Sequence, residues 1–262
     1  MRAVEALETL ELLGSTQWGV VTTAQARAAG VSNVQLARLA NDGTLSRVRH
    51  GVYALPSAST GPLQDLRAAW LAASGPDTPD ERGVVVSGVS AAAVHELGDL
   101  VPSRHEFSST KRRQSSQPDV QFRRARLSRD EVTVVDGLPV TTVERTVTDL
   151  TSRGVDADHL ATVLEDAVTS TRSTPSALAS ALERHAHQYL ADNGADLLVQ
   201  LAPAKVNYWA ASLAKTLTDT LTVQLTRDLQ KSLATSLSGN VSPRAFEEAV
   251  TRAAFHTLAR TA

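Results

Sequence analysis

Thr22 to Leu55 reads TTAQARAAGVSNVQLARLANDGTLSRVRHGVYAL, and its punctuation decides how the rest of the chain is arranged. Thr22 or Thr23 can accept a bond from a free backbone N–H and start a short helix, which Ala24, Ala26, Ala28 and Ala29 let sit close to a neighbour. Gly30 suits the left-handed backbone that ends a helix. Ser32, followed by Gln35 at the third helical position, is a capping box for the next one. In that second helix Val31, Leu36, Leu39 and Ala40 can face a core, leaving Asn33, Gln35 and Arg38 outside or at its margin. Asn41-Asp42-Gly43 stops it. Leu45, Val48, Val52 and Tyr53 are strand formers around Gly51, so Arg47, Arg49 and His50 fall on a hairpin. Helix, tight turn, helix, basic hairpin is the order of a winged helix-turn-helix.

The outer side chains have the chemistry for reading a duplex. Asn and Gln can grip adenine by two bonds and Arg can grip guanine, while Arg47, Arg49 and His50 would reach phosphates or the minor groove. Ser32, Asn33, Gln35, Arg38, Arg47, Arg49 and His50 therefore form the candidate DNA-binding set. Between Arg27 and Ala54 there are four arginines and one acid, Asp42. A helical pair with a hairpin also serves as a protein-docking module in which surface arginines are merely solvated. The polar and basic outer side favours DNA.

Two blocks carry a resemblance to a known family. The run from Val21 to Leu55 is the first. The second is Ser87-Gly88-Val89-Ser90-Ala91-Ala92-Ala93-Val94-His95-Glu96-Leu97 with Gly137-Leu138-Pro139-Val140-Thr141-Thr142-Val143-Glu144-Arg145-Thr146. Together they resemble AbiEi-type antitoxins over roughly residues 20 to 150. The resemblance implies a bacterial transcriptional regulator that represses its own operon. Where a nucleotidyltransferase toxin is encoded beside it, it would antagonise that toxin. Some relatives join the same front half to a nuclease-like domain, so the tail needs its own reading.

Length and composition narrow the class. A chain of 262 residues can bury a sizeable core and divides into two or three units. Hydrophobic residues make up 42% and charged ones 21%, ordinary for a soluble protein, and aromatics only 4%, so Ala, Leu and Val must fill the interior. Zero cysteines exclude disulfides and thiolate metal sites and fit a reducing cytoplasm. No apolar run approaches the roughly 20 residues of a membrane helix, and no signal pattern opens the chain, so a cytoplasmic location is expected. A net charge of −2 means that affinity for DNA must come from local patches.

Taken in order, residues 3 to 13 form an opening helix with Ala3, Leu7, Leu10 and Leu13 on one side and Glu5, Glu8 and Glu11 on the other, facing away from DNA. Pro56 to Pro62 reads as a linker. Asp65 to Ala73 is a helix and Gly75 to Asp80 a loop. Val84 to Val86, Phe107 to Thr110 and Val120 to Leu127 read as strands, with a helix from Ser87 or Ser90 to Leu97. Val132 to Val135 and Leu138 to Thr141 bracket Asp136-Gly137, a two-residue hairpin signal, and Thr142 opens another helix. From Arg104 to Arg129 eight basic residues face two acids, Glu106 and Asp119. Lys111, Arg112 and Arg113 are the candidates there for a second phosphate-contacting surface; a solvated strand edge is the alternative.

From about Asp156 strand signals fade. Helices are expected over 158 to 169, 175 to 186 and 203 to 237, with a final one from Pro243 to about Arg260. Leu213, Leu217, Leu221, Leu225, Leu229, Leu233 and Leu237 recur every four residues, which rotates the stripe by about 40° per step and disfavours a straight coiled coil. The tail reads as a helical core or as a docking surface for a second subunit or a toxin.

No catalytic constellation stands out: no phosphate loop, no His-Glu-x-x-His and no Gly-x-Ser-x-Gly. His185 and His187 would point to different sides of a helix, and Asp149, Asp156 and Asp158 lack a following Glu-x-Lys on a strand. The expectation is thus a non-enzyme with no cofactor and no metal. Its fold would be α+β: a winged helix-turn-helix over 1–55, a mixed α/β unit over 62–155 and a helical region over 156–262. Its partners would be operator DNA, a possible nucleotidyltransferase toxin and a second copy in a homodimer. The rival is a protein-interaction module whose winged domain docks a protein rather than DNA.

Overall fold

A computed structural model describes residues 2–74, 83–170 and 172–236. The loop expected over 75–80 and the helix expected from Pro243 lie outside the described residues. Tertiary contacts group the chain into Met1–Val206 and Asn207–Ala262.

The front runs α1 (Ala3–Gly14), β1 (Val20–Thr22), α2 (Thr23–Ala28), α3 (Asn33–Asn41), β2 (Ser46–Arg49) and β3 (Val52–Ala54). Its antiparallel sheet has the order β1-β3-β2, the winged helix-turn-helix layout. The caps form as the residue types dictate. Thr22 Oγ1 accepts from the Gln25 N–H at 3.2 Å and Ser32 Oγ from the Gln35 N–H at 3.3 Å. Gly30 takes φ +86, as a turn between the two helices requires. Ala6, Leu10, Ala26, Val31, Leu36 and Leu39 close one core, with Leu7 and Leu13 packed at its edge, whereas Ala3 is exposed.

The middle adds α4 (Gln64–Ser74), β4 (Val85–Val86), α5 (Gly88–Val94), β5 (His105–Ser109), β6 (Val120–Arg124), β7 (Val132–Val135), β8 (Leu138–Thr141) and α6 (Val143–Thr151). The five strands lie in the order β6-β5-β4-β8-β7. β4–β8 and β5–β6 are parallel, the other pairs antiparallel. Asp136 and Gly137, at φ +49 and +79, make the tight turn between β7 and β8.

Two packing results were not visible from local pattern. A second core joins Val20 and Val52 of the front sheet to Leu66 and Trp70 of α4 and to Phe107 and Val140 of the larger sheet, so α4 bridges both sheets. Trp18, at φ +60, donates its indole N–H to the Asp136 carbonyl at 2.8 Å and lies 5.2 Å beneath the Arg67 guanidinium, which itself pairs with the Asp136 carboxylate. A third core runs from Ala92, Leu97, Val147 and Leu150 into α7 (Ala157–Thr169), α8 (Pro175–Leu182) and α9 (Gly194–Leu201). The boundaries expected at 55/62 and 155/156 both fall inside the first compact unit, because apolar side chains from either side share one interior.

The helix expected over 175 to 186 ends sooner, and Glu183–Tyr189 continues in tighter 3-10 turns. The start of α9 packs closely against this segment. A Cβ at Gly194 would meet the Ala179 carbonyl oxygen at 1.9 Å, and the Gly194 N–H is held by the Glu183 carboxylate at 2.8 Å. Last comes α10 (Pro203–Ser236). Along it Leu213, Leu217, Leu221, Leu225 and Leu229 are exposed, and Thr216, Thr218, Thr220, Thr222 and Thr226 return their hydroxyls to carbonyls one turn back.

Candidate nucleic-acid interface

The outward face of α3 carries Asn33, Val34, Ala37, Arg38 and Asn41, with Leu36 and Leu39 turned into the core. The Arg38 side chain is 77% exposed, and its Nε stands 3.9 Å from an Asp42 carboxylate oxygen, a loose contact between two solvated groups that constrains it little. Ser32 and Gln35 are differently employed. Gln35 Oε1 accepts from the Ser32 N–H at 2.9 Å and lies 3.0 Å from the Ser32 hydroxyl, so both side chains are committed to starting the helix. Val34, 78% exposed, is apolar and so lies outside the polar set expected on this face. The signal was present: once Leu36 fixes the buried direction, position 34 lies about 200° round the helix.

On the wing, Arg47 is exposed and its Nη2 donates to Nδ1 of the exposed His50 at 3.0 Å. Arg49 corrects the expected phosphate clamp. Its side chain is only 9% exposed; it pairs with the Asp119 carboxylate and donates from Nε to Gln117 Oε1 at 3.2 Å. The cause is a bulge. Arg47 pairs with Tyr53, but Arg49 pairs with Val52, so the register slips by one between them. Strict alternation would put both arginines on one face; the slip sends Arg49 to the buried side that Val52 occupies. Burial lowers the Arg49 pKa and the nearby Asp65 charge opposes that, but a guanidinium remains protonated. The same burial lowers the His105 pKa beside it, helped by the Arg49 charge and opposed by Asp65. Gln117, Pro118 and Asp119 face Val48, His50 and Asp65 across a cleft of about 280 Å³.

The second basic stretch also divides. Lys111 and Arg112 are exposed, whereas Arg113 is partly buried and donates to the Ala73 carbonyl at the end of α4, a favourable place for a cation. Arg113 is thus a helix-end contact, correcting its expected place on a phosphate surface. Arg104, Arg123, Arg124, Arg126 and Arg129 are exposed and, among the described residues, make no ion pair. Both acids of the stretch pair with arginines from outside it: Asp119 with Arg49, and Glu106 with Arg153. The outer face is therefore more positive than the count of charges suggested.

The histidines and carboxylates are built into the structure. His95, 3% exposed, bonds through Nε2 to the Thr141 carbonyl at 2.7 Å; burial lowers its pKa and that bond opposes the shift. His159 pairs with Asp99 at the surface, which raises its pKa through that hydrogen bond. Asp149 is held by Arg145, which also takes Glu131. Among the described residues no group of three or more His, Asp and Glu could hold a metal ion. None of the described helices is long and apolar enough to cross a membrane.

Residues 8–56 match the family described as transcriptional regulator, AbiEi antitoxin. No curated protein matches the chain. Among solved structures it is similar to the crystal structure of the RV2827C protein from Mycobacterium tuberculosis, at 20% identity and a TM-score of 0.47, over 76% of this chain and 81% of that one.

Proposed function

From a front segment of the AbiEi transcriptional-regulator kind, we propose that the chain is a sequence-specific DNA-binding repressor acting at the operator of its own operon. The single observation that carries this reading is the outward face of α3, where Asn33, Val34 and Arg38 stand exposed; on the wing Arg47 and His50 are exposed as well. Asn33 and Arg38 read base edges in the major groove, and Arg47 with His50 contacts the backbone alongside. Lys111 and Arg112 add positive charge that carries no sequence information. The repressor works without catalysis or a bound metal, as a homodimer in the cytoplasm. Where a nucleotidyltransferase toxin accompanies it, the helical part neutralises that toxin.

The test is footprinting and gel shift of the full chain on DNA upstream of its own gene. Arg38→Ala is expected to cost about 1–3 kcal/mol on the operator and to relax one base position. An equal loss on random DNA would show that Arg38 reads no base. A wild-type chain with no salt-dependent affinity for any duplex, but a stable complex with a neighbouring gene product, would replace the repressor by a protein-docking module.

A further inference from the structure

Resting on the repressor reading above, we propose that Asp119 is a positioning residue for DNA binding: through Arg49 it fixes the wing, so an acidic side chain strengthens the grip on a polyanion. Arg49 sits on the face of the bulged strand that turns away from solvent and spends its guanidinium on Asp119 and Gln117. Asp119 is itself anchored. Its carbonyl accepts from the His105 N–H at 2.7 Å, where β5 begins, and β6 starts at the next residue in register with His105. The clasp therefore ties the wing strand to the end of the larger sheet. Arg47 and His50 lie on either side of Arg49 in sequence, so the clasp, together with the ladder to β3, sets where the wing contacts proposed for the backbone stand.

Simple electrostatics and the clasp predict opposite signs. Removing a carboxylate from the surface of a DNA-binding protein makes it more cationic and, on charge alone, tightens binding. Opening the clasp takes from the half-buried Arg49 its paired carboxylate, leaving the Asp65 charge beyond ion-pair distance, and loosens the wing, which weakens binding. The clasp also makes no phosphate contact, so the number of counterions released does not change with it.

The experiment is operator binding by the full chain across a range of salt concentrations for wild type, Asp119→Asn, Arg49→Met and the double variant, with thermal melts on the same samples. Asp119→Asn and Arg49→Met are each expected to weaken binding by about tenfold, with the wild-type slope of log affinity against log salt. The double variant is expected to lose no more than the worse single, because one interaction is removed twice. Faster amide exchange over residues 46–54 should accompany both. If the melts show that Asp119→Asn does not fold, Gln117→Ala, which removes one hydrogen bond only, should still weaken binding with the slope unchanged. An Arg49→Met slope reduced by about one, with Asp119→Asn or Gln117→Ala binding as well as wild type or better, overturns the clasp and returns Arg49 to the phosphates. A wild-type chain that binds no duplex sinks the repressor reading itself, an outcome distinct from either.

Discussion

At the residue scale, the exposed valine is the informative side chain on α3. Val34 stands 78% exposed where Asn33 and Arg38 also point outward. Isolated surface valines are common and need no explanation. This one is different because of its place: in the proposed groove its methyls would face base edges, and the apolar feature there is the thymine 5-methyl group. Replacing individual thymines of the operator by deoxyuridine is therefore expected to weaken wild-type binding at one position by a few fold, and to leave Val34→Ala indifferent at that position. Wild-type affinity unmoved by every such replacement would leave Val34 as a bystander.

Between elements, a buried imidazole joins α5 to β8. His95 reaches the Thr141 carbonyl, and its other ring nitrogen is buried without a hydrogen-bond partner among the described residues. Burial, then the Arg172 charge, disfavour the imidazolium, while the Thr141 bond and Glu144 favour it; the balance is a lowered pKa. The sign follows. In the unfolded chain this ring takes a proton below about pH 6.5, and in the folded chain it resists doing so, so stability is lost as pH falls from there towards the folded pKa. His159, raised by its exposed pairing with Asp99, works the other way and is screened by solvent. Denaturant midpoints from pH 7.5 to 5 should thus fall for wild type and fall less steeply for His95→Gln, which keeps a donor for Thr141. Parallel pH profiles would mean that His95 is not the group responsible.

Over the whole molecule, net charge conceals an asymmetry. The chain totals −2, yet Lys111, Arg112, Arg123, Arg124 and Arg126 remain exposed while Asp119 and Glu106 are tied up by Arg49 and Arg153. If Lys111 and Arg112 meet phosphates, Lys111→Gln/Arg112→Gln will weaken binding to operator and random DNA alike and lower the salt slope by about two. An unchanged slope would make them solvated cations. Arg113→Gln should behave differently, since its partner is the Ala73 carbonyl: a stability loss on the order of 1 kcal/mol and no change in slope.

The sequence by itself determined the caps of the front and the β7–β8 turn of the middle. Thr22, Gly30, Ser32 with Gln35, and Asp136-Gly137 each specify a cap or turn through bonds to neighbours only a few residues away, so nothing distant had to be known. It also made Asn33 and Arg38 legible on the outward face of α3, because the helical period carries that information, but not Val34, nor that Ser32 and Gln35 are spent on the cap. Tertiary structure alone decided which cations are available. A one-residue slip opposite Val52 moved Arg49 from the outer face to the inner one, and the end of α4 captured Arg113. It decided as well that the front, middle and helical parts share their interiors up to Val206. Pairing register and burial depend on residues tens of positions apart, and side-chain type along a single strand or loop does not encode them.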